Sequence, residues 1–303
     1  MKTITFNDII SLKITAKQCV KWAKYVISHK NHYNLPPKTS IKFGDNCFFN
    51  TMPSLGADIF GVKVVSRIAN RTPKLKSDIL LYNAKNGELL ALIDGTWITA
   101  MRTGAVAAIT MQLLKKANAL ELSFIGLGNT ARATLLCYDA LNSSKDLHIN
   151  LLAYKKQHLD FMKRFRDFKH IDFCVYDNLC DLANISDVLV SCVTAADSNF
   201  VSEECFKNGV LIIPVHTRGF QNCDVVFDKI FCDDLGHISH FKYFNQYKFV
   251  AEITDILNGK IHGRQDDRER ILAYNIGISI HDIYFAMQIY KRFNRQKLRN
   301  FWV

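Results

Sequence analysis

The chain has 303 residues, 49% hydrophobic and 22% charged, with a formal net charge of +11. That length suffices for a sizeable core and for two domains, and the composition is that of a globular chain, not a disordered one. No apolar run reaches the roughly eighteen residues of a membrane span, and "MKTITFNDII", interrupted by Asp8, lacks the pattern of a secretory leader, so a cytoplasmic protein with no membrane segment is expected.

In chain order, "AKQCVKWAKYVISHK" sets Ala16, Val20, Ala23 and Ile27 at helical spacing. "SIKFGDNCFFN" reads as a hairpin turning at Gly44-Asp45-Asn46. "DILLYNAKNGELLALIDG" reads as a second, with Asn86-Gly87 supplying left-handed turn residues. "TWITAMRTGAVAAITMQLLKK" follows as a helix. From about Leu120, short β-rich runs alternate with helical stretches: "LSFIGLG", a helix from Thr130, "HINLLAY", a helix near Leu159 to Phe168, "IDFCVY", "DVLVSCVT", "VLIIPVH" and "KIFCDD". This alternation predicts an α/β fold with a Rossmann-type, doubly wound parallel sheet. It stops near Ala273, where "NIGISIHDIYFAMQIYKRF" reads as a long amphipathic helix returning to the first domain. The expected domains are 1–112 with 274–303, a discontinuous mixed α/β domain, and 113–273, the doubly wound domain.

Nine cysteines form no C-x-x-C and sit mostly in apolar stretches. They read as reduced thiols in a reducing compartment. The basic runs "KKQHLDFMKRFRDFKH" and "YKRFNRQKLRN" read as solvated helix faces interleaved with core aromatics. No nucleic-acid motif accompanies them, so the positive charge points to small anionic ligands instead. His237 and His240 near Asp233 and Asp234 lack ligand spacing, and no metal is expected.

Within "LSFIGLGNTARATLLCYDAL", Gly126, Gly128 and Ala131 form G-x-G-x-x-A between a strand and a helix. Gly126 allows the tight turn, Gly128 lets a pyrophosphate approach the backbone, and Ala131 allows close helix–strand packing. Asn129 and Thr130 open the helix, whose N–H groups face the phosphates. Past the second strand, an NAD-specific fold places a carboxylate on the ribose; here stand Tyr154, Lys155 and Lys156. A lysine attracts a 2′-phosphate, so NADP(H) is expected, with NAD(H) second. Thr194 and His216 follow later strands and should converge on the nicotinamide, His216 with an acid/base role as its alternative.

"LLALIDGTWITAMRTGAVAAIT" followed by "LSFIGLGNTARA" resembles the ornithine cyclodeaminase/μ-crystallin family, as do "MPSLGADIFGVKVVS", "SDVLVSCVT" and "NIGISIHDI". The resemblance covers roughly residues 40 to 290. It implies a Rossmann domain plus a mixed α/β domain that dimerises through its sheet, and hydride transfer at an amino-acid Cα–N bond with a nicotinamide cofactor. It implies that Lys63 contacts substrate and moves a proton, that Arg102 clamps the α-carboxylate, and that Lys38 is the upstream basic residue. The cyclodeaminases carry a glutamate before the Met-Pro pair, where this chain has Asn50. Many members carry an aspartate where this chain has Arg218 in "IIPVHTRGFQNCDV". An arginine there resembles the dehydrogenases that release 2,3-diaminopropionate from a glutamate conjugate.

The residues carry the same chemistry without the resemblance. Oxidising an amine to an imine removes a hydride from Cα and a proton from nitrogen, and a lysine in a dry, positive site can take that proton. Lys63, between Val62 and Val64, is the candidate, with an edge-strand lysine in water as the alternative. Arg102, flanked by Ala100, Gly104 and Ala105, has room to hold a carboxylate by two parallel hydrogen bonds. Arg218 would bind a second carboxylate or a cofactor phosphate. The expected activity is an NAD(P)-dependent dehydrogenase or imine reductase acting on an amino or imino acid, and the resemblance alone implies that it works as a homodimer. A cyclodeaminase with no net redox and a non-catalytic nucleotide-binding protein are the alternatives.

Overall fold

The computed structural model describes residues 1–45, 47–142, 145–194 and 196–301, the last five by backbone alone. The expected turn residue Asn46 and the end of the basic tail lie outside the described residues or side chains. The chain divides into two compact units, Met1–Arg102 with Ile278–Val303, and Thr103–Gly277.

The first unit holds β1 (Lys2–Ile4), α1 (Phe6–Ser11), α2 (Ala16–Ser28), β2 (Thr39–Phe43), β3 (Cys47–Leu55), β4 (Ile59–Arg67), β5 (Leu75–Asn83), β6 (Leu89–Asp94), the start of α3 (Thr96–Leu114) and, from the far end of the chain, α8 (Ser279–Phe301). Thr15 and Gln18 form the capping box that starts α2. The sheet order is β1-β6-β5-β4-β3-β2. β1 runs parallel to β6 and the other pairs are antiparallel. Along β4 burial alternates, so one face of the sheet is covered. Met52, Lys63 and Ile79 face one another across three adjacent strands on that side. α8 packs over it, and at Gly61 it comes so near that an added Cβ would lie 2.6 Å from Ile283 Cδ1. Trp22 of α2 meets Phe285 of α8 edge to face, with ring centroids 5.1 Å apart. In the β5–β6 turn only Gly87 is left-handed (φ 73°). Asn86 instead accepts a hydrogen bond from the Glu88 N–H at 3.1 Å, which corrects the expectation for that pair.

The second unit holds the rest of α3, β7 (Glu121–Ile125), α4 (Asn129–Leu141), β8 (Leu147–Leu152), α5 (Gln157–Arg164), β9 (Ile171–Tyr176), α6 (Leu179–Ile185), β10 (Val188–Ser191), β11 (Leu211–Pro214), β12 (Lys229–Cys232), β13 (Val250–Glu252), α7 (Ile253–Leu257) and β14 (Ile271–Tyr274). All pairs in its sheet are parallel, in the order β13-β12-β14-β11-β10-β7-β8-β9. The order reverses direction at β7 and β10, the switch point where doubly wound sheets bind ligands. β10, β11, β12 and β14 are buried throughout. Ile125, Leu189, Ile212, Phe227 and Tyr274 belong to one core cluster. In the first basic run, Phe161 and Phe165 are buried at 1% exposure, among lysines and arginines that stay outside.

The structure differs from the sequence reading in two further respects. The sequence pattern does not predict β1, β13 and β14 as strands, and β14 inserts between β11 and β12 although it follows both in the chain. Cys180 and Cys205 form a disulfide between α6 and the turn at Glu203–Cys205, with Cα atoms 5.3 Å apart; the other seven cysteines remain thiols. Among the described residues no helix is long and apolar enough to cross a membrane.

Gly104 of α3 supplies a test of this packing. A Cβ there would sit 2.4 Å from the carbonyl carbon of Ala133 in α4, and backbone cannot yield cheaply. Gly104→Ala is expected to cost about 1–3 kcal/mol or more through overpacking, read as a lowered Tm in thermal unfolding.

Candidate active site

Lys63 lies on an interior strand, not at an edge, and is 1% exposed. Its Nζ donates to Asp282 Oδ1 at 2.9 Å. Arg102, 5% exposed near the start of α3, donates to the same oxygen from its Nε at 3.0 Å. The two basic residues singled out in the sequence thus meet on one buried carboxylate. Burial pushes the Lys63 ammonium down to about 8; Asp282 opposes this, while Arg102 and Lys38 add to it. Burial also pushes Asp282 up, but the charges and hydrogen bonds of Arg102 and Lys63 outweigh it and hold the carboxyl below its ordinary range.

Asn50 shares this neighbourhood. It faces Val65 across the β3–β4 pair, one step along from Met52 and Lys63, so it shares the covered face and stands diagonal to Lys63. Its Oδ1 is buried with no hydrogen-bond partner. Lys38 is half-buried just before β2. Two residues of this site were not legible as such. Asp282 stood in "NIGISIHDI", a segment that carries the family resemblance, but no role was assigned to its carboxylate. His281, beside it, is 1% exposed, and neither ring nitrogen has a hydrogen-bond partner. Burial, with Arg102 adding to it, lowers His281 to about 3, so its imidazole is neutral at physiological pH.

In the second unit the glycine loop follows β7. Gly126 has φ 74°, and a Cβ on it would lie 2.5 Å from the Val193 nitrogen, so only glycine fits. At Gly128 an added Cβ meets nothing within 4 Å. Gly128 is the N-cap of α4 and provides no side-chain cap, so the first amides of α4 are left for a ligand or water. Asn129 is exposed and accepts from Arg164 Nη1 at 3.2 Å, Thr130 is half-buried, and Ala131 is fully buried. A cavity of about 510 Å³ opens here, lined by Gly126, Gly128, Tyr154, Gln157, Thr194 and Phe200 among others. That volume and an uncapped helix start suit a dinucleotide.

Lys155 (φ 44°) and Lys156 (φ 63°) are both left-handed between β8 and α5. Two consecutive non-glycine residues in that region mark strain of the kind found at functional sites. Both are exposed, and Lys155 Nζ lies 5.3 Å from the centre of the Tyr154 ring. His216 does not line the cavity. Its Nε2 and Ser191 Oγ share a hydrogen bond of 2.5 Å, and its ring meets Phe200 edge to face. Burial lowers it to about 4. Arg218 is exposed on the loop after β11. Among the described residues no group of three or more histidines, cysteines or carboxylates is placed to hold a metal ion.

Comparison with known proteins gives the same outline. A Delta(1)-pyrroline-2-carboxylate reductase of Bacillus cereus is 25% identical, over 96% of this chain and 93% of its own. An N-((2S)-2-amino-2-carboxyethyl)-L-glutamate dehydrogenase of Staphylococcus aureus is 25% identical, over 73% of this chain and 69% of its own. The solved structure of Thermococcus litoralis Delta(1)-pyrroline-2-carboxylate reductase, in complex with NADH and L-proline, has the same fold, with a TM-score of 0.86 over 98% of both chains at 23% identity. The model of the ornithine cyclodeaminase/mu-crystallin family matches residues 5–297, and the chain belongs to that family.

Proposed function

We propose that the protein is an NAD(P)H-dependent oxidoreductase acting on the C–N bond of an amino or imino acid. The observation that carries this reading is the sharing of one buried carboxylate oxygen by Lys63 and Arg102. The relatives named above, a pyrroline-2-carboxylate reductase and an amino-acid dehydrogenase, support it. When bound, the nicotinamide donates or accepts the hydride at Cα. The glycine loop and the start of α4 hold its pyrophosphate, Thr194 belongs to the cofactor side, and Lys155 and Lys156 favour a 2′-phosphate, hence NADP(H).

The chain's own residues bind the acid and move one proton. Arg102 has its Nε–H committed to Asp282, and its Nη groups take the α-carboxylate as a fork. A neutral imine gains a hydride at carbon and a proton at nitrogen; the Lys63 ammonium provides that proton, and in the reverse direction the free amine accepts it. Lys38 and Asn50 extend the substrate side. Arg218 suits a second carboxylate, as in a glutamate conjugate, and repels the second amine of ornithine or lysine, so a cyclodeaminase is disfavoured. Ile41, Phe43 and Phe49, exposed on the β2–β3 hairpin with Phe43 stacked on Phe49, suit the apolar contact of a homodimer. A cytosolic compartment is proposed because seven of the nine cysteines remain thiols, the Cys180–Cys205 disulfide notwithstanding.

Titration with NADPH and NADH, followed by nicotinamide fluorescence, is expected to give tighter NADPH binding, reversed in Lys155→Asp/Lys156→Asp. No binding of either would sink the reading. Gly128→Ala should keep the wild-type Tm and weaken NADPH about tenfold or more by filling the phosphate approach. Gly126→Ala should instead lower Tm. Lys63 is an ammonium below about pH 8 and a free amine above it. Imine reduction should therefore fall, and amine oxidation rise, as pH climbs through about 8. Lys63→Met should lose both limbs and about 100-fold or more in kcat/KM.

A further inference from the structure

Asp282 lies in the first turn of α8 and is fully buried. Two cations of separate elements, Lys63 of β4 and Arg102 of α3, share its Oδ1. In a dry site two positive groups repel strongly, and a buried lysine without a counter-charge releases its proton. The shared carboxylate removes both problems at one atom. It also fixes the plane of the Arg102 guanidinium through Nε, leaving the Nη groups as the donors to a ligand.

We propose that Asp282 is the positioning residue of this site: its Oδ1 ties the amine of Lys63 to the guanidinium of Arg102, so that α-carboxylate binding and proton transfer at nitrogen occur in fixed register. This rests on the roles given above to Lys63 and Arg102. Asp282 touches neither substrate nor cofactor in this scheme and acts through the two cations it holds.

The charges facing Lys63 come from every side. Arg102 of α3 and Lys38 before β2 lower its proton affinity, as does burial, and Asp282 of α8 raises it. His281, next to Asp282 and under the influence of Arg102 and Lys30, is neutral and adds no charge near pH 8. Replacing Asp282 by asparagine keeps an acceptor oxygen and removes the charge. Lys63 then loses the influence that keeps it protonated to about pH 8, and its titration moves down.

The test is an NMR titration of full-length protein labelled with ¹³C-lysine, the Lys63 signal being the one absent from Lys63→Met. In the wild type it should titrate near pH 8, and in Asp282→Asn about one pH unit or more lower. The limb of the imine-reduction profile should move by the same amount, KM for the acid should rise about tenfold or more, and NADPH affinity should stay unchanged. Asp282→Glu, which keeps the charge but shifts it outward, should hold the Lys63 titration near pH 8 and still raise KM; it carries the test if Asp282→Asn does not fold. A Lys63 titration unmoved in Asp282→Asn, or a KM unmoved in Asp282→Glu, overturns the proposal. A wild type that reduces no imino acid refutes the functional reading alone, because the Lys63 titration needs no turnover.

Discussion

A lysine ammonium on the covered face of a β-sheet has to be compensated. Left alone it would cost several kcal/mol of desolvation, or give up its proton. Here the compensation comes from residue 282, 219 positions along the chain. That distance explains why the first unit is built from both chain ends. The last helix has to lie across β3, β4 and β5 to bring its first turn to Lys63, and contacts between α8 and all three strands are present. Gly61 clears the way for Ile283, and Trp22 packs on Phe285 a turn beyond Asp282. The ion pair and the packing are one arrangement.

The second unit obeys a different constraint, the need to present backbone. Gly126 is required because neighbouring backbone leaves no room for a side chain, and Gly128 matters because it keeps space open. The two glycines of one motif thus serve opposite purposes, one internal to the fold and one directed at a ligand. Lys155 and Lys156 hold left-handed conformations without the freedom of glycine, a cost of order 1–3 kcal/mol each that the surrounding structure has to outweigh. The positive balance of the chain is expressed at such places and in the Lys63 site, while the aromatics of its first basic run lie inside.

Much of this was legible in the sequence, for physical reasons that also mark its limits. The β-α alternation, the glycine loop and the Gly87 turn depend on neighbours within a few residues, and such patterns survive in one dimension. Lys63 and Arg102 were legible as candidates because of the family resemblance and their apolar or small flanks. Asp282 stood in the matching segment "NIGISIHDI", but its role was not legible, because that role depends on which way one helix face turns. His281 looked like any polar residue in an amphipathic pattern. β14 is a four-residue apolar run, too short to tell from the end of a loop, and its place between β11 and β12 is set by the sheet. The Cys180–Cys205 bond joins residues 25 apart that no spacing rule connects.

The order in which a ribosome delivers these parts differs from the order in which they are needed. Strands β1 to β6 emerge early, with Lys63 on the face they will bury, and the carboxylate that answers it emerges with α8. Through that interval the face is uncovered and its lysine is still hydrated. The second unit lies wholly between, and its own sheet waits for β14, which also emerges late. Each unit therefore receives a part it depends on within the same short stretch of synthesis, β14 at residues 271–274 and Asp282 a few residues on. A nascent chain halted before that stretch holds one sheet still uncovered and one still lacking a strand, and one released after it can cover the first and complete the second.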